Sequence, residues 1–310
     1  MAFDQRQLRA FLAIVKTGSL GRAIEEINLS QPALSRLIQD MENRLGARLF
    51  DRVSTGMILT DFGRELVPHA RHLLFGMSQA VEALDALRGL QRGTVRVGAV
   101  ATVTRSIMPV AVDGLLAGWP GLNVSLIEAM EDTLLTALEN YEIDLMIAGA
   151  VPPRPGIMAI AECALDNSYR VFCSSSHPIL QKKNPSFADV LQEGWIMFPP
   201  GTEEREFFDV AVRRSGLGRP RIAVETESSS TVISFIDRTR LLGWLSHPLF
   251  AGAERAERVT ALKVPELVRR QRFFVYRRSP GELPRAATQL LKELPLVAPP
   301  DENGITTPWV

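Results

Sequence analysis

The feature that most constrains this chain lies near its start, where Ser30–Leu45 can only be a helix with one buried and one open face. Leu34, Leu37, Ile38, Met41 and Leu45 recur at helical spacing, so they line one side and must be covered by other elements. Ser30 supplies a capping oxygen, and Pro32 falls in the first turn, where its missing N–H costs nothing. The opposite side carries Pro32, Ser35, Arg36, Gln39 and Asn43, with Gln31 at the tip. The cover comes from upstream. Leu8, Phe11, Leu12 and Val15 predict a helix over about Asp4–Thr17, stopped near Gly18. Leu20, Ala23, Ile24 and Ile27 predict a second, which Ser19 can cap. Asn28-Leu29 forms the turn, since Asn tolerates the left-handed backbone. Downstream, Leu49–Arg52 and Met57–Thr60 read as two short strands around Ser54-Thr55-Gly56.

Two short helices joined by a tight turn, the second presenting hydrogen-bonding side chains, have the geometry that enters a major groove. Gln can bridge an adenine edge and Arg a guanine edge, while the short Ser35 lets the backbone approach. A hairpin after such a helix is a wing, and Arg48 and Arg52 sit where a wing meets phosphate. Residues 1–60 hold only eight basic against six acidic residues, so placement rather than total charge must serve phosphate contact. Taken alone, the pattern also fits a solvated helix face in an ordinary helical bundle. The run Leu-Ser-Gln-Pro-Ala-Leu-Ser (29–35), with Met41-Glu42, Leu45-Gly46, Leu49-Phe50-Asp51-Arg52 and Leu59-Thr60, resembles the LysR-type transcriptional regulators. That resemblance implies DNA contacts by Gln31, Pro32, Ser35 and Arg36 from the recognition helix and by Arg52 from the wing.

Thr60-Asp61 can open a long helix. Its apolar positions, Leu66, Ala70, Leu73, Met77, Ala80, Leu84 and Leu87, step by four and three in alternation, which is a heptad seam. A straight helix buried in one domain drifts off that period. The expectation is a dimer contact through Leu66, Leu73, Met77 and Leu84, as the resemblance also implies, with an ordinary amphipathic helix as the other reading. Pro68 should kink it. His69 and His72 lie three apart without a third ligand, and no metal is expected.

From Gly93 strands and helices alternate, which predicts parallel sheets. Strands are expected at Thr94–Ala99, Asn123–Glu128 and Asp144–Ala148, then at Tyr169–Ser174, Trp195–Phe198, Arg221–Glu225, Leu241–Leu245 and Arg272–Arg277. The predicted fold is α/β: a winged helix-turn-helix (1–60), a dimerising linker helix (61–90), and a two-lobed effector-binding domain resembling periplasmic binding proteins. Lobe 1 takes 91–165 with 268–297, lobe 2 takes 166–267, and 298–310 is a loose tail. Open α/β sheets bind ligands at the C-terminal ends of their strands. The residues so placed are Thr102, Thr104 and Arg105, Ala148, Thr202, and Ser228, Ser229 and Thr231. Hydroxyls and free N–H groups at helix starts suit an anion, so a small organic acid is the expected effector and a neutral sugar the alternative. Simple N-capping is the competing reading of Ser228–Thr231. Glu203 and Glu204 would repel an anion, which places it nearer Arg105. Two positions depart from the family pattern: Tyr141 stands where a Gly is usual, and Arg238-Thr239-Arg240 replaces a Gly-rich approach to the last cleft strand.

Composition adds exclusions. No uninterrupted run of eighteen apolar residues occurs, and the polar N-terminus shows no secretion signal, so a cytoplasmic protein is expected. Cys163 and Cys173 are too few for a disulfide scaffold or zinc site, and a redox switch is the less favoured reading of them. The sequence lacks a G-x-S-x-G, H-E-x-x-H, P-loop or G-x-G-x-x-G motif, so no enzyme and no cofactor are expected. A solute-binding protein would have no use for residues 1–60. The expected partners are an operator duplex, a small-molecule effector and a second copy, as homodimer or tetramer. RNA polymerase stays open as a further partner.

Overall fold

The computed structural model describes residues 3–54, 56–87, 92–250 and 257–297. The tail expected over 298–310, the wing-turn residue Thr55 and residues 88–90 of the expected linker helix lie outside these. The head is built from α1 (Gln5–Thr17), α2 (Leu20–Ile27), α3 (Gln31–Leu45) and a hairpin of β1 (Phe50–Val53) and β2 (Gly56–Leu59). Asp4 and Gln7 form a reciprocal capping box on α1, which satisfies two otherwise orphaned N–H groups. Ser30 caps α3 by accepting from Ala33 N at 3.4 Å. Ser19 sits at the start of α2 but its side chain makes no capping bond, contrary to expectation. Phe11, Ile14, Ala23, Leu34, Ile38 and Met41 form the buried centre. Glu42 accepts from Leu49 N at 2.7 Å and Phe50 N at 3.3 Å, so a side chain of α3 fixes where the wing begins.

Helix α4 (Asp61–Leu87) runs on without interruption through Pro68. Its first half belongs to the head. Ala70 is fully buried there, with Leu66, Val67 and Leu74 packed alongside. Leu66 is therefore turned toward the head rather than outward, which corrects its place in the proposed seam. Leu73, Met77, Val81 and Leu84 are exposed, so the outward stripe starts at Leu73, one heptad after the Leu66 at which the count began.

Beyond α4 the chain forms two mixed six-stranded sheets. The first holds β3 (Gly93–Ala99), β4 (Leu122–Glu128), β5 (Leu145–Ala148), β6 (Ile157–Cys163), and later β13 and β14, in the order β14-β6-β13-β5-β3-β4. Helices α5 (Ala101–Arg105), α6 (Met108–Gly118) and α7 (Glu131–Glu139) lie between its strands. The second sheet holds β7 (Ser168–Ser174), β8 (Gly194–Met197), β9 (Arg221–Glu225), β10 (Leu242–Ser246), β11 (Val259–Leu262) and β12 (Arg269–Arg270). With it go α8 (Phe187–Leu191), α9 (Glu203–Ser215) and α10 (Ser229–Arg238). The chain then returns as β13 (Phe274–Arg278), α11 (Arg285–Glu293) and β14 (Leu296–Val297).

The expectation of parallel sheets holds only for β3-β4-β5 and β10-β8-β9; β6, β7, β11, β12, β13 and β14 pair antiparallel. The cause is the double crossing. A strand that leaves one lobe, or returns to it, has no crossover helix to carry it back to the starting edge, so it joins antiparallel. β12 pairs with β7 of the second sheet, so the return crossing falls after Arg270 rather than at 268. Each sheet is covered on both faces. In lobe 1, Val97, Leu145, Ile147 and Val275 face α6 and α11, while Met146, Phe274 and Tyr276 face α7. In lobe 2, Trp195 and Trp244 fill one side, and Phe172, Ile196 and Phe250 the other.

Candidate functional site

The open side of α3 is as the sequence implies. Gln31, Pro32, Arg36 and Gln39 are exposed and Ser35 is half-buried, while Arg52 is exposed on β1. Arg36 and Arg52 make no ion pair within the described residues, so both guanidinium groups remain available to an external acceptor.

The two lobes enclose a cavity of about 370 Å³. Val100 and Thr102 line it from the end of β3, Glu128 and Glu131 from the turn between β4 and α7, and Ser228 and Ser229 from the start of α10. It continues into a wider hollow of about 990 Å³ bounded by Arg154, Thr202, Glu203, Tyr276 and, again, Glu131, Glu204 and Glu227. Strand ends and helix starts from both lobes thus converge, as open α/β sheets require.

The residues expected there divide. Thr102, Ser228 and Ser229 line the cavity, and Thr202 lines the hollow. Ser228 and Thr202 are also helix caps, accepting from Thr231 N at 3.2 Å and Arg205 N at 3.4 Å. The capping and cavity-lining readings are therefore both true of these two residues. Thr231 lies two residues past Ser229 in α10 and is not among the residues lining the cavity. Ala148 is fully buried beneath α7: a strand's side chains alternate faces, and its turn points into the core. Thr104 donates to Glu128 Oε2 at 2.5 Å, and Arg105 lies 3.6 Å from Glu128 Oε1. The one cation expected to hold an anion is already matched by a carboxylate.

Electrostatically the cleft runs opposite to the expectation of an acid. Glu128, Glu131, Asp132, Glu203, Glu204 and Glu227 line it, and Arg154 is the one cation among the lining residues. Burial, then Glu204 and Glu203, pushes Glu131 up to about 7. Burial also raises Glu204, which accepts from Tyr169 Oη at 3.1 Å. Arg269, beside Glu203 and Glu204, is held down to about 10 by burial and lies over the Phe207 ring at 4.1 Å. Glu131 and Glu128 were missed because an acid opening a helix or ending a strand reads as dipole compensation. Gln271 was missed because it stands outside any regular element.

At the far end of α7, lobe 1 meets the linker helix. Tyr141 adopts a left-handed backbone, φ 60°, which costs a non-glycine residue energy. Its hydroxyl contacts His72 Nδ1, and its ring lies 5.4 Å from that of Phe75. Arg278 stacks over both rings, at 4.4 Å and 4.8 Å, and Arg71 pairs with Glu142 at 2.9 Å. The Tyr for Gly departure is thus a docking contact. His72 is taken up by it, and among the described residues no group of three metal-ligating side chains occurs. Cys163 and Cys173 are buried on different sheets, and burial pushes both thiols up to about 12, which suppresses thiolate chemistry. No helix among the described residues is long and apolar enough to cross a membrane.

Two family models match. Residues 5–64 fit "Bacterial regulatory helix-turn-helix protein, lysR family", and residues 88–296 fit "LysR substrate binding domain". The chain is 32% identical to the uncharacterized HTH-type transcriptional regulator YdcI of Escherichia coli (strain K12), over 73% of both chains. It is 31% identical to the RuBisCO operon transcriptional regulator of Allochromatium vinosum, over 66% of this chain and 67% of that one. Its fold matches that of full-length CbnR in complex with its target DNA, with a TM-score of 0.64, 21% identity, and 94% and 99% of the two chains covered. With a helix-turn-helix head, a two-lobed cleft and these matches over nearly its whole length, the chain belongs to the LysR family of DNA-binding transcriptional regulators, which bind operators, oligomerise and take small-molecule effectors.

Proposed function

We propose that the head reads an operator through Gln31, Pro32, Ser35 and Arg36 of α3, with Arg52 on the flanking phosphate, and that a small polar molecule without net negative charge, bound between the lobes, alters that reading. The observation that carries this is the cleft itself, walled by strand ends of both lobes and lined by carboxylates. Arg105, the cation on which the acid expectation relied, is matched by Glu128, which leaves Arg154 as the one cation among six lining carboxylates. The sugar alternative keeps Thr102, Ser228 and Ser229 and adds carboxylate acceptors for its hydroxyls. Residues 1–60, 61–90 and the two lobes are read as the working units. The exposed stripe Leu73, Met77 and Leu84 is read as the contact between copies.

Helix α7 gives the cleft a physical route to the head. Glu131 at its start lines the cleft, and Tyr141, two residues past its end, sits on α4. A ligand that draws Glu131 toward lobe 2 moves a nine-residue helix whose other end holds the linker. The ligand acts only as far as it prefers one lobe arrangement over another.

The DNA half of this reading is tested with a sequence selected from random DNA by the full-length protein. Arg36→Ala should narrow the gap between selected and random DNA by roughly 1–3 kcal/mol. Arg52→Ala should weaken both alike and flatten the salt dependence. Equal, non-selective losses in both variants refute the division of labour.

A further inference from the structure

The cleft brings carboxyl groups of both lobes to one cavity. Glu131 from lobe 1 and Glu204 from lobe 2 line the same cavity, each raising its own cost of ionisation through burial. Like charges held away from water repel strongly, and a fold keeps such a pair only where something offsets it. The protein supplies part of that offset: backbone N–H groups of Glu131 and Gly149 bond Glu131, and a backbone N–H and the charge of Arg269 favour ionised Glu204. Tyr169 gives Glu204 one hydrogen bond, and Arg269 is itself desolvated against Phe207.

A second, independent observation comes from Gln271, which lines the cavity at 3% exposure. Its amide oxygen accepts from Asn167 at 3.4 Å, while its amide nitrogen has no acceptor among the described residues. That nitrogen is not sealed in the core but opens on the cavity that Gln271 lines, where it can donate to a bound acceptor. Gln271 Nε2 and Glu131 Oε1 flank Gly149, lying 3.0 Å and 3.5 Å from where a side-chain carbon there would stand. The missing side chain leaves room in front of both groups. One wall therefore offers carboxyl groups that a bound cation would hold ionised, and beside it lies an amide donor facing the cavity.

We infer that the effector is a small organic cation, with a protonated amine or guanidinium seated between Glu131 and Glu204 in reach of Glu227, and a hydroxyl or carbonyl facing Gln271. This rests on the cleft being the effector site, and narrows the ligand to a charge class. Bridging carboxylates of opposite lobes, such a cation favours the closed arrangement of the lobes, which is the differential binding that regulation needs.

The test uses the full-length protein and three probes built on one four-carbon chain: 4-amino-1-butanol, 1,4-butanediol and 4-hydroxybutanoate. Each is added at 10 mM in a thermal melt, and affinity is read by calorimetry. The amine should raise the melting temperature and the anion should not. Glu204→Gln and Glu131→Gln, which keep the side-chain shape, should each weaken amine binding by about ten- to a hundred-fold. Gln271→Leu should weaken the amino alcohol but not 1-aminobutane, which has no acceptor. Circular dichroism and the unliganded melt of each variant show whether it has folded. Silence from both amines, or stabilisation by the anion at least equal to that by the amine, overturns the inference. Should the anion or the diol prevail, and lose its effect in Thr102→Val, the cleft remains the effector site and only the charge class falls. Stabilisation indifferent to every cleft substitution removes the cleft reading itself.

Discussion

At the scale of single residues, Glu131 is the most informative group in the molecule, because its environment opposes its charge. Its folded pKa of about 7 stands above the ordinary 4.5, so between those values the folded state holds more proton than the unfolded one. The stability this lends is fully present below about pH 4.5 and is lost as pH rises through about 7. Glu131→Gln should therefore melt close to the wild type at pH 5 and above it at pH 8, and a melting difference that does not grow with pH contradicts the buried-acid account. Glu203 and Glu204 on α9 face the same group and will broaden the transition, since coupled carboxylates titrate together. The cleft was only half legible in the sequence. Ser228, Ser229 and Thr102 follow from strand-end placement, but periodicity cannot say which face a strand residue shows, and Ala148 went inward. Nor can one chain's order show that Glu131 and Glu204, 73 positions apart, meet across a cleft.

Among the elements, the linker helix is where pattern and packing diverge. Its alternating steps of four and three were legible at once, and Leu73, Met77 and Leu84 of that series are exposed, Met77 to 44% and Leu84 to 57%, with Val81 beside them. What the pattern could not reveal is that a helix can serve two partners along its length, burying Leu66 and Ala70 against the head before its apolar stripe turns outward. Hydrophobic surface of this extent on a single helix argues for a second copy. Leu73→Glu and Met77→Glu place like charges across that contact and should shift the dimer toward monomer in sedimentation at low micromolar concentration. An unchanged dimer would assign the interface elsewhere. Helices α1, α2 and α3 and the wing were legible almost residue by residue, because caps, Gly18, Asn28 and Pro32 each act locally. Glu42's hold on the wing was not, since a side chain bonding seven and eight residues ahead leaves no periodic trace.

For the whole molecule, the order of elements gave two lobes but misjudged their sheets. Alternation implies parallel pairing only while the chain stays in one sheet, and here it leaves at β6, returns at β13, and closes each lobe with antiparallel strands. That double crossing places the cleft between bodies that can move as units, and the docking of Tyr141, Phe75, His72 and Arg278 ties one of them to the linker helix. The account therefore claims that cleft and operator are linked through α7, with a coupling of about five-fold or more. Operator affinity, titrated with and without the compound that stabilises the cleft, tests this most directly, in the wild type and in Tyr141→Gly, which keeps the left-handed turn but removes the ring. The account predicts that the compound shifts operator affinity in the wild type and binds Tyr141→Gly equally well without shifting it. A compound that binds the cleft of the wild type and leaves operator affinity unchanged would contradict it.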